Sequence, residues 1–473
     1  MTPPTEFTAA EARRLLDSGA ASARELADFY LARIERLNPE LRAVIAVDVE
    51  GARAAAAASD ARRVDGKSLG ELDGVPILIK DNIEAVGLPG TAGSRALLGS
   101  PPTADAPLVT ALRDSGLVVL GSTNLSEWAN FRSTTSTSGW SAVGGQTRNA
   151  FDTGRNTSGS SSGSGVAAAA GLAPLTIGTE TDGSIVSPAG VCGVVGFKPT
   201  RGSVPGTGIV PISSQQDVAG PMTRSVADAA SLYAVMSGQP SAGSVAPSDL
   251  GGRPIAVWRP AGLVGDVAAV FDAAVARLAD AGCSLRETQG ALASPFQDAE
   301  FDALVAEFSV QLPAYLAGRQ GGHPRDWDEL LAFNRADDVE LSRFSDEIFQ
   351  LCRDTAAAGG IDTDKYRKAR ADANASCARA LESVLADCDF AIAPTNAPAW
   401  PIGYGGLEEH GLLTSSLCAV TGAPAISLPA GLVEGLPVGV SLLARRGQDQ
   451  QLLGYAAAFE ALLPDQRYPY SSG

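Results

Sequence analysis

A chain of 473 residues has room for one large domain or for two to three ordinary ones. Hydrophobic residues make up 45% and charged residues 19%, the balance of a globular protein with a sizeable core. The formal charge of −17 disfavours a direct nucleic-acid or anionic-membrane surface, leaving such contacts to a partner protein if they exist.

The opening residues, MTPPTEFTAAEARRLLDSG, show no basic region followed by an apolar run, so no secretory signal is expected. Thr8 with Glu11 and Ser22 with Glu25 each fit a capping box, in which hydroxyl and carboxylate satisfy orphan amides reciprocally. Leu26, Phe29, Tyr30, Ile34 and Leu37 then keep helical spacing, and Asn38-Pro39 is expected to stop that helix. An alanine-rich helix is expected from Gly51 to Arg63. The alanine runs at 54–58 and 167–170 are too short, or too near charge, to span a bilayer.

From Gly74 the texture changes. Val75 to Lys80 is a short apolar run ending in lysine and reads as a buried strand. Leu108 to Ser115 reads as a helix, and Leu117–Leu120, Leu175–Ile177 and Gly193–Phe197 as further strands. Short strands alternating with helices predict an α/β core with a partly parallel sheet. Residues 240–390 carry long amphipathic patterns at 266–281, at Phe301, Leu304, Val305, Phe308 and Leu312, and at 363–387. They are expected to form a helical segment over a pocket, with Phe308 and Trp327 influencing substrate choice. Strand-like runs return at Phe390–Pro394, Pro424–Pro429 and Val438–Leu443, before a helix near Asp449. With no clear linker and no repeat, one domain is expected: helices over 1–70, a core over 71–235, the helical segment over 240–390, and a return to the core over 391–473.

Chemistry concentrates between Asn156 and Ala189, NTSGSSSGSGVAAAAGLAPLTIGTETDGSIVSPA. Ser160 lies in a Gly/Ser run that fits a flexible linker, an anion-binding nest, or a loop where backbones approach closely. The GK[ST] lysine of a phosphate loop is missing. Ser184 follows Thr181-Asp182-Gly183 in a tight turn ahead of an expected stop at Pro188. It is either a plain Gly-Ser turn or an exposed hydroxyl beside convergent backbone amides. Lys80 is either a strand-end residue with its head in water or a buried amine whose lowered pKa suits a base. The chain has only two histidines, His323 and His410, so a serine nucleophile here calls for a base other than imidazole. Six cysteines, none in CxxC spacing, read as reduced, mostly buried thiols of a cytosolic protein, and zinc is not expected.

The chain resembles the amidase signature family of serine hydrolases. SGSSSGS…GTETDGSIVSPA is similar to the family pattern GGSSGGS…GSDTGGSIR.PA. GVPILIKDNIEAVGLPGTAGS resembles the family's lysine strand, and GVVGFKPTRGSVPGTGIVPISSQQDVAGPM and TGAPAISLPAGLVEGLPVGVSLLARRGQDQQLL its later segments. The resemblance covers nearly the whole chain and implies a mixed central β-sheet surrounded by helices. It implies Ser184 as the acylated nucleophile, Ser160 as a bridging serine after a cis peptide, and Lys80 as the base. The oxyanion hole would be the backbone amides of Thr181, Asp182, Gly183 and Ser184. No metal or organic cofactor is implied. Two positions depart from the pattern: Asp182 replaces a glycine, and Val186 replaces an arginine that in some relatives contacts a substrate carboxylate. The forms NLSEWANFR and GTETDGSI look like the bacterial peptide-amidase branch, which implies a small-molecule or peptide amide substrate and a monomer or homodimer. The alternative is the A subunit of a glutamyl-tRNA(Gln) amidotransferase, with the B and C subunits as partners. A catalytically inactive binding protein on the same scaffold is the third reading.

Overall fold

In the computed structural model the described residues are 3–238, 245–263, 265–289, 296–406 and 414–470. The strands, in chain order, are β1 Val44–Val47, β2 Pro76–Lys80, β3 Val118–Thr123, the short hairpin β4 Trp140–Ser141 and β5 Gly145–Gln146, and β6 Leu175–Glu180. Then follow β7 Val195–Lys198, β8 Val218–Thr223, β9 Pro254–Trp258, β10 Ser284–Thr288, β11 Phe390–Pro394, β12 Ala425–Val433 and β13 Leu436–Leu443. All but β4 and β5 form one sheet of eleven strands in the order β1-β3-β2-β6-β8-β7-β12-β13-β11-β9-β10. The sheet is mixed. β3, β2 and β6 run parallel, as do β11, β9 and β10, while every pairing from β6 across to β11 is antiparallel. Helices cover the central strands. β2 and β6 are accordingly buried along their whole length, which explains their continuous apolar runs instead of alternation.

The N-terminal helices form largely where the sequence places them. Ser22 and Glu25 make the full capping box at the start of helix Ala23–Leu41. Thr8 accepts from the Glu11 amide, but the Glu11 carboxylate turns to the amides of Thr5, Glu6 and Phe7, so this end holds the preceding chain instead of closing a box. Asn38-Pro39 does not stop its helix, which carries Pro39 and continues to Leu41 before Arg42 turns left-handed (φ 50°). The Asn38 side chain binds both the amide and the carbonyl of Val44, fastening the helix end to β1. Pro188 likewise starts rather than stops a helix. It sits in the first turn of Val186–Cys192, where a missing N–H costs no hydrogen bond.

The segment after 240 is mostly helical and also carries β9 and β10. Gly265–Asp280, Phe296–Gly318, Trp327–Ala336, Glu347–Ala357 and Asp364–Leu385 are its helices. Leu304, Phe308, Leu312, Trp327, Leu330 and Phe349 build a second apolar core there, which also takes Trp128, Ala92 and Leu97 from the first half of the chain. No described helix is long and apolar enough to cross a membrane.

Candidate active site

The ends of β2 and β6 meet the Gly/Ser loop at one place. Lys80 closes β2 with no exposed surface. Its Nζ lies 2.7 Å from Ser160 Oγ, 3.0 Å from Ser161 Oγ, 2.9 Å from Thr179 Oγ1 and 3.3 Å from the Thr179 carbonyl. Ser161 donates its own proton to that carbonyl at 3.0 Å and accepts from the Thr179 amide, so toward the lysine it is an acceptor. Asn82 Nδ2 donates to Thr179 Oγ1 at 3.0 Å. Burial holds the Lys80 amine well below its ordinary pKa, opposed by the charges of Asp217 and Glu180. A neutral lysine keeps a lone pair, and the Ser160 hydroxyl is its shortest contact.

The Gly/Ser run is a loop followed by helix Ser162–Ala169. Linker is therefore the wrong reading: every serine from Ser160 to Ser164 is buried. The Gly159–Ser160 peptide is cis, and the Asn156 side chain caps the loop through the Ser158 amide at 2.8 Å. Small residues are required where strand and loop touch. A Cβ on Gly178 would lie 2.7 Å from Ser161 Oγ and 2.9 Å from Met222 Sδ. Gly178→Ala is expected to cost about 1–3 kcal/mol through overpacking. It should also lower amide turnover by displacing Ser161 from the lysine. Thermal unfolding and kcat on one carboxamide check both, and an unchanged kcat would mean that Ser161 can move without consequence.

The second loop, from Thr181 to Ser184, joins β6 to helix Val186–Cys192. Gly183 has φ +76°, which favours glycine. Among the described residues, the backbone amides of Asp182, Gly183 and Ser184 donate no hydrogen bond. Three carboxylates brace the turn, two from its flanks and one from the turn itself. Glu180 accepts the amides of Ile185 and Val186 at 2.8 and 3.0 Å. Asp217 accepts Thr181 Oγ1 at 2.7 Å and the amides of Ile212 and Ser213, and burial pushes its pKa up to about 6. Asp182 accepts Ser415 Oγ at 2.5 Å and Ser416 Oγ at 2.6 Å. The Ser184 carbonyl accepts the Ser161 amide at 3.2 Å, which ties the two loops together.

A cavity of about 250 Å³ opens over this junction. Ser184, Gly159, Thr181, Asp182 and Gly183 form its polar floor, and Phe131, Ile212, Leu304 and Val186 its apolar walls. Phe308 and Trp327 do not line it. Phe308 packs edge-on against Phe131 at 5.3 Å between ring centroids, and Trp327 meets Phe308 edge-on at 5.4 Å. His323 is buried away from the cavity, bonded to the Leu316 carbonyl, and His410 lies outside the described residues. All six cysteines are free. Among the described residues no three His, Cys, Asp or Glu side chains converge as a metal ion would require.

Sequence reasoning thus located the two loops and the lysine but missed their supports. Ser161 and Asn82 are chain neighbours of Ser160 and Lys80, and their polar character was visible. Nothing local signals that Asp217, Glu300, Ser415 and Ser416 reach the turn.

A family model described as Amidase matches residues 25–453. The A subunit of the glutamyl-tRNA(Gln) amidotransferase of Symbiobacterium thermophilum is 35% identical over 96% of this chain and 96% of its own length. The native peptide amidase of Stenotrophomonas maltophilia superposes with a TM-score of 0.91 at 38% identity, covering 100% of both chains. The corresponding amidotransferase A subunit of Thermotoga maritima gives 0.75 at 26% identity, again over 100% of both.

Proposed function

The chain belongs to the amidase family, and from that premise we propose that it hydrolyses carboxamides through an acyl-serine intermediate, with Ser184 as nucleophile, Ser160 as bridge and Lys80 as base. The observation that carries the reading is the 2.7 Å contact between a fully buried Lys80 amine and Ser160 Oγ, beside a turn that presents Ser184 to a cavity. Ser184 Oγ attacks the amide carbon while its proton passes to Ser160 and the Ser160 proton to Lys80. The amides of the 181–184 turn hold the oxyanion; one such donor is typically worth about 2.7–4 kcal/mol. On collapse, the C–N bond breaks and the proton returns through Ser160 to the leaving nitrogen. Water then attacks the ester, its proton takes the same route, and Ser184 leaves with it restored. Linear carboxamides, peptide C-terminal amides among them, fit a cavity of this size. Reduced cysteines support a cytoplasmic setting, and the protein is read as a monomer or homodimer.

A second reading follows from the 35% identity to an amidotransferase A subunit: release of ammonia from glutamine for partner subunits. One panel separates the two. Purified protein is offered peptide amides, short aliphatic carboxamides, anilides and glutamine, with ammonia and amine measured separately. The first reading expects turnover of carboxamides by the isolated chain. Glutamine turnover alone, dependent on added B and C subunits, would replace it by the second.

A further inference from the structure

Among the described residues lining the cavity, Asp182 is the only one with a charged side chain. Burial pushes the Asp182 carboxyl up, and against that its two oxygens accept the hydroxyls of Ser415 and Ser416, contacts that favour the ionised form. The neighbouring Glu300 is placed differently. It is buried, Gln216 Nε2 donates to its Oε1 at 2.8 Å, and its carboxyl interacts with that of Asp182. Two facing carboxyls cannot both ionise cheaply, so one proton stays between them. Burial and the Asp182 charge push Glu300 up to about 8, and two hydroxyls donated to Asp182 against one amide donated to Glu300 place the proton on Glu300. The pair therefore carries one negative charge, on the residue that faces the cavity.

Among the described residues no Lys or Arg hydrogen-bonds the Asp182 carboxylate, whose partners are the two serines. Arg370 is held by both oxygens of Glu307 at 2.7 and 2.9 Å and by Gln216 Oε1 at 2.7 Å. Lys198 donates to the carbonyls of Pro199 and Ala423, burial lowers its pKa, and its attraction is shared among Glu180, Asp449 and Asp182. The remaining walls, Phe131, Ile212, Leu304 and Val186, are uncharged.

We propose that Asp182 determines substrate charge: the cavity selects carboxamides that carry a cationic group next to the scissile bond and rejects those that carry a carboxylate there. The inference rests on the carboxamide hydrolase reading, and Glu300 serves it as a neutral neighbour that keeps Asp182 ionised.

The test is a matched series of N-acetyl amino-acid amides with lysine, norleucine or glutamate as the residue bearing the carboxamide. Wild-type kcat/KM should rank lysine over norleucine over glutamate, with steps of about tenfold from one partly screened charge pair. Asp182→Asn should shrink the lysine-to-glutamate ratio to about threefold or less. Only the ratio is read, because this residue also belongs to the oxyanion turn. Glu300→Gln imitates a protonated carboxyl and should leave the ratio in place. Equal wild-type rates across the series, a preference for glutamate, or an unchanged ratio in Asp182→Asn would each overturn the proposal. So would collapse of the ratio in Glu300→Gln, since the charge would then sit on the wrong residue. Dissociation constants of the same three amides for Ser184→Ala, by calorimetry, give the charge order without turnover. Absence of hydrolysis across the series would therefore count against the hydrolase reading, whereas a flat order of binding would count against Asp182.

Discussion

Ser184→Ala should abolish carboxamide hydrolysis, on the order of a 10⁶-fold loss in kcat, as in other serine hydrolases deprived of their nucleophile. The fold should hardly register the change. The side chain is at the edge of a cavity, and the groups that fix the turn are the carboxylates of Glu180, Asp182 and Asp217 together with the Ser184 carbonyl. None of these uses Ser184 Oγ, so the melting temperature should move by no more than about 2 °C. Activity and unfolding measured on one preparation decide the matter. Retained turnover would remove Ser184 from the mechanism and would reopen the choice among the serines of the neighbouring loop. A large fall in melting temperature would show instead that the hydroxyl holds the turn. The expected combination, a dead enzyme with an intact fold, is what a reacting group on a braced turn produces.

The stretch from Asn156 to Ala189 was legible because its chemistry is local. Its two small-residue loops lie close in the chain; Lys80, flagged by its own apolar run, is 80 residues from Ser160, and the structure brings the two into contact. The α/β class was equally visible in the alternation of short apolar runs with helical patterns. Strand order was not, because β7 pairs with β12 across more than two hundred residues and no periodicity encodes that. The supports of the turn were hidden for the same reason. Ser415 and Ser416 reach Asp182 from more than two hundred residues away, and Glu300 arrives on helix Phe296–Gly318, where nothing in the local sequence pairs it with Asp182. Two prolines were misread through a local rule that tertiary structure overrides. Pro39 is tolerated near the end of a helix that packs against β1, and Pro188 stands in a first turn where its missing N–H does no harm. Phe308 and Trp327 show the converse limit: large aromatics at helical spacing mark a core, and here Phe131 lines the cavity while Phe308 packs against Phe131.

Lys80→Met should cost about 10²–10⁴-fold in kcat/KM, the usual contribution of a positioned base, and it should also change two pH dependences. In the wild type, activity should fall on the acidic side as the buried amine takes up a proton and loses the lone pair that faces Ser160. Residual activity of the variant should lack this limb. A wild-type rate that climbs steadily down to pH 4 would contradict a neutral-lysine base. The second dependence is in stability. Burial depresses the folded-state pKa of Lys80, while the unfolded chain holds its proton until about pH 10.4. Between those values the unfolded state binds more protons, so the lysine's cost to folding is full below the folded pKa and fades as pH rises toward the unfolded one. Methionine removes that cost. It also leaves Ser160, Ser161 and Thr179 without their shared partner, so the absolute shift in melting temperature mixes two opposing effects. The pH trend of the shift isolates the charge. The variant's melting temperature relative to wild type should decline steadily from pH 7 to pH 10. That range lies above the titration of Asp217, which burial sets at about 6, so the neighbouring carboxylate stays charged in both proteins and cancels in the difference. A difference that does not vary with pH would mean that Lys80 is charged in the folded protein. The proton would then start on the lysine instead of on Ser184, and the relay would need a different base.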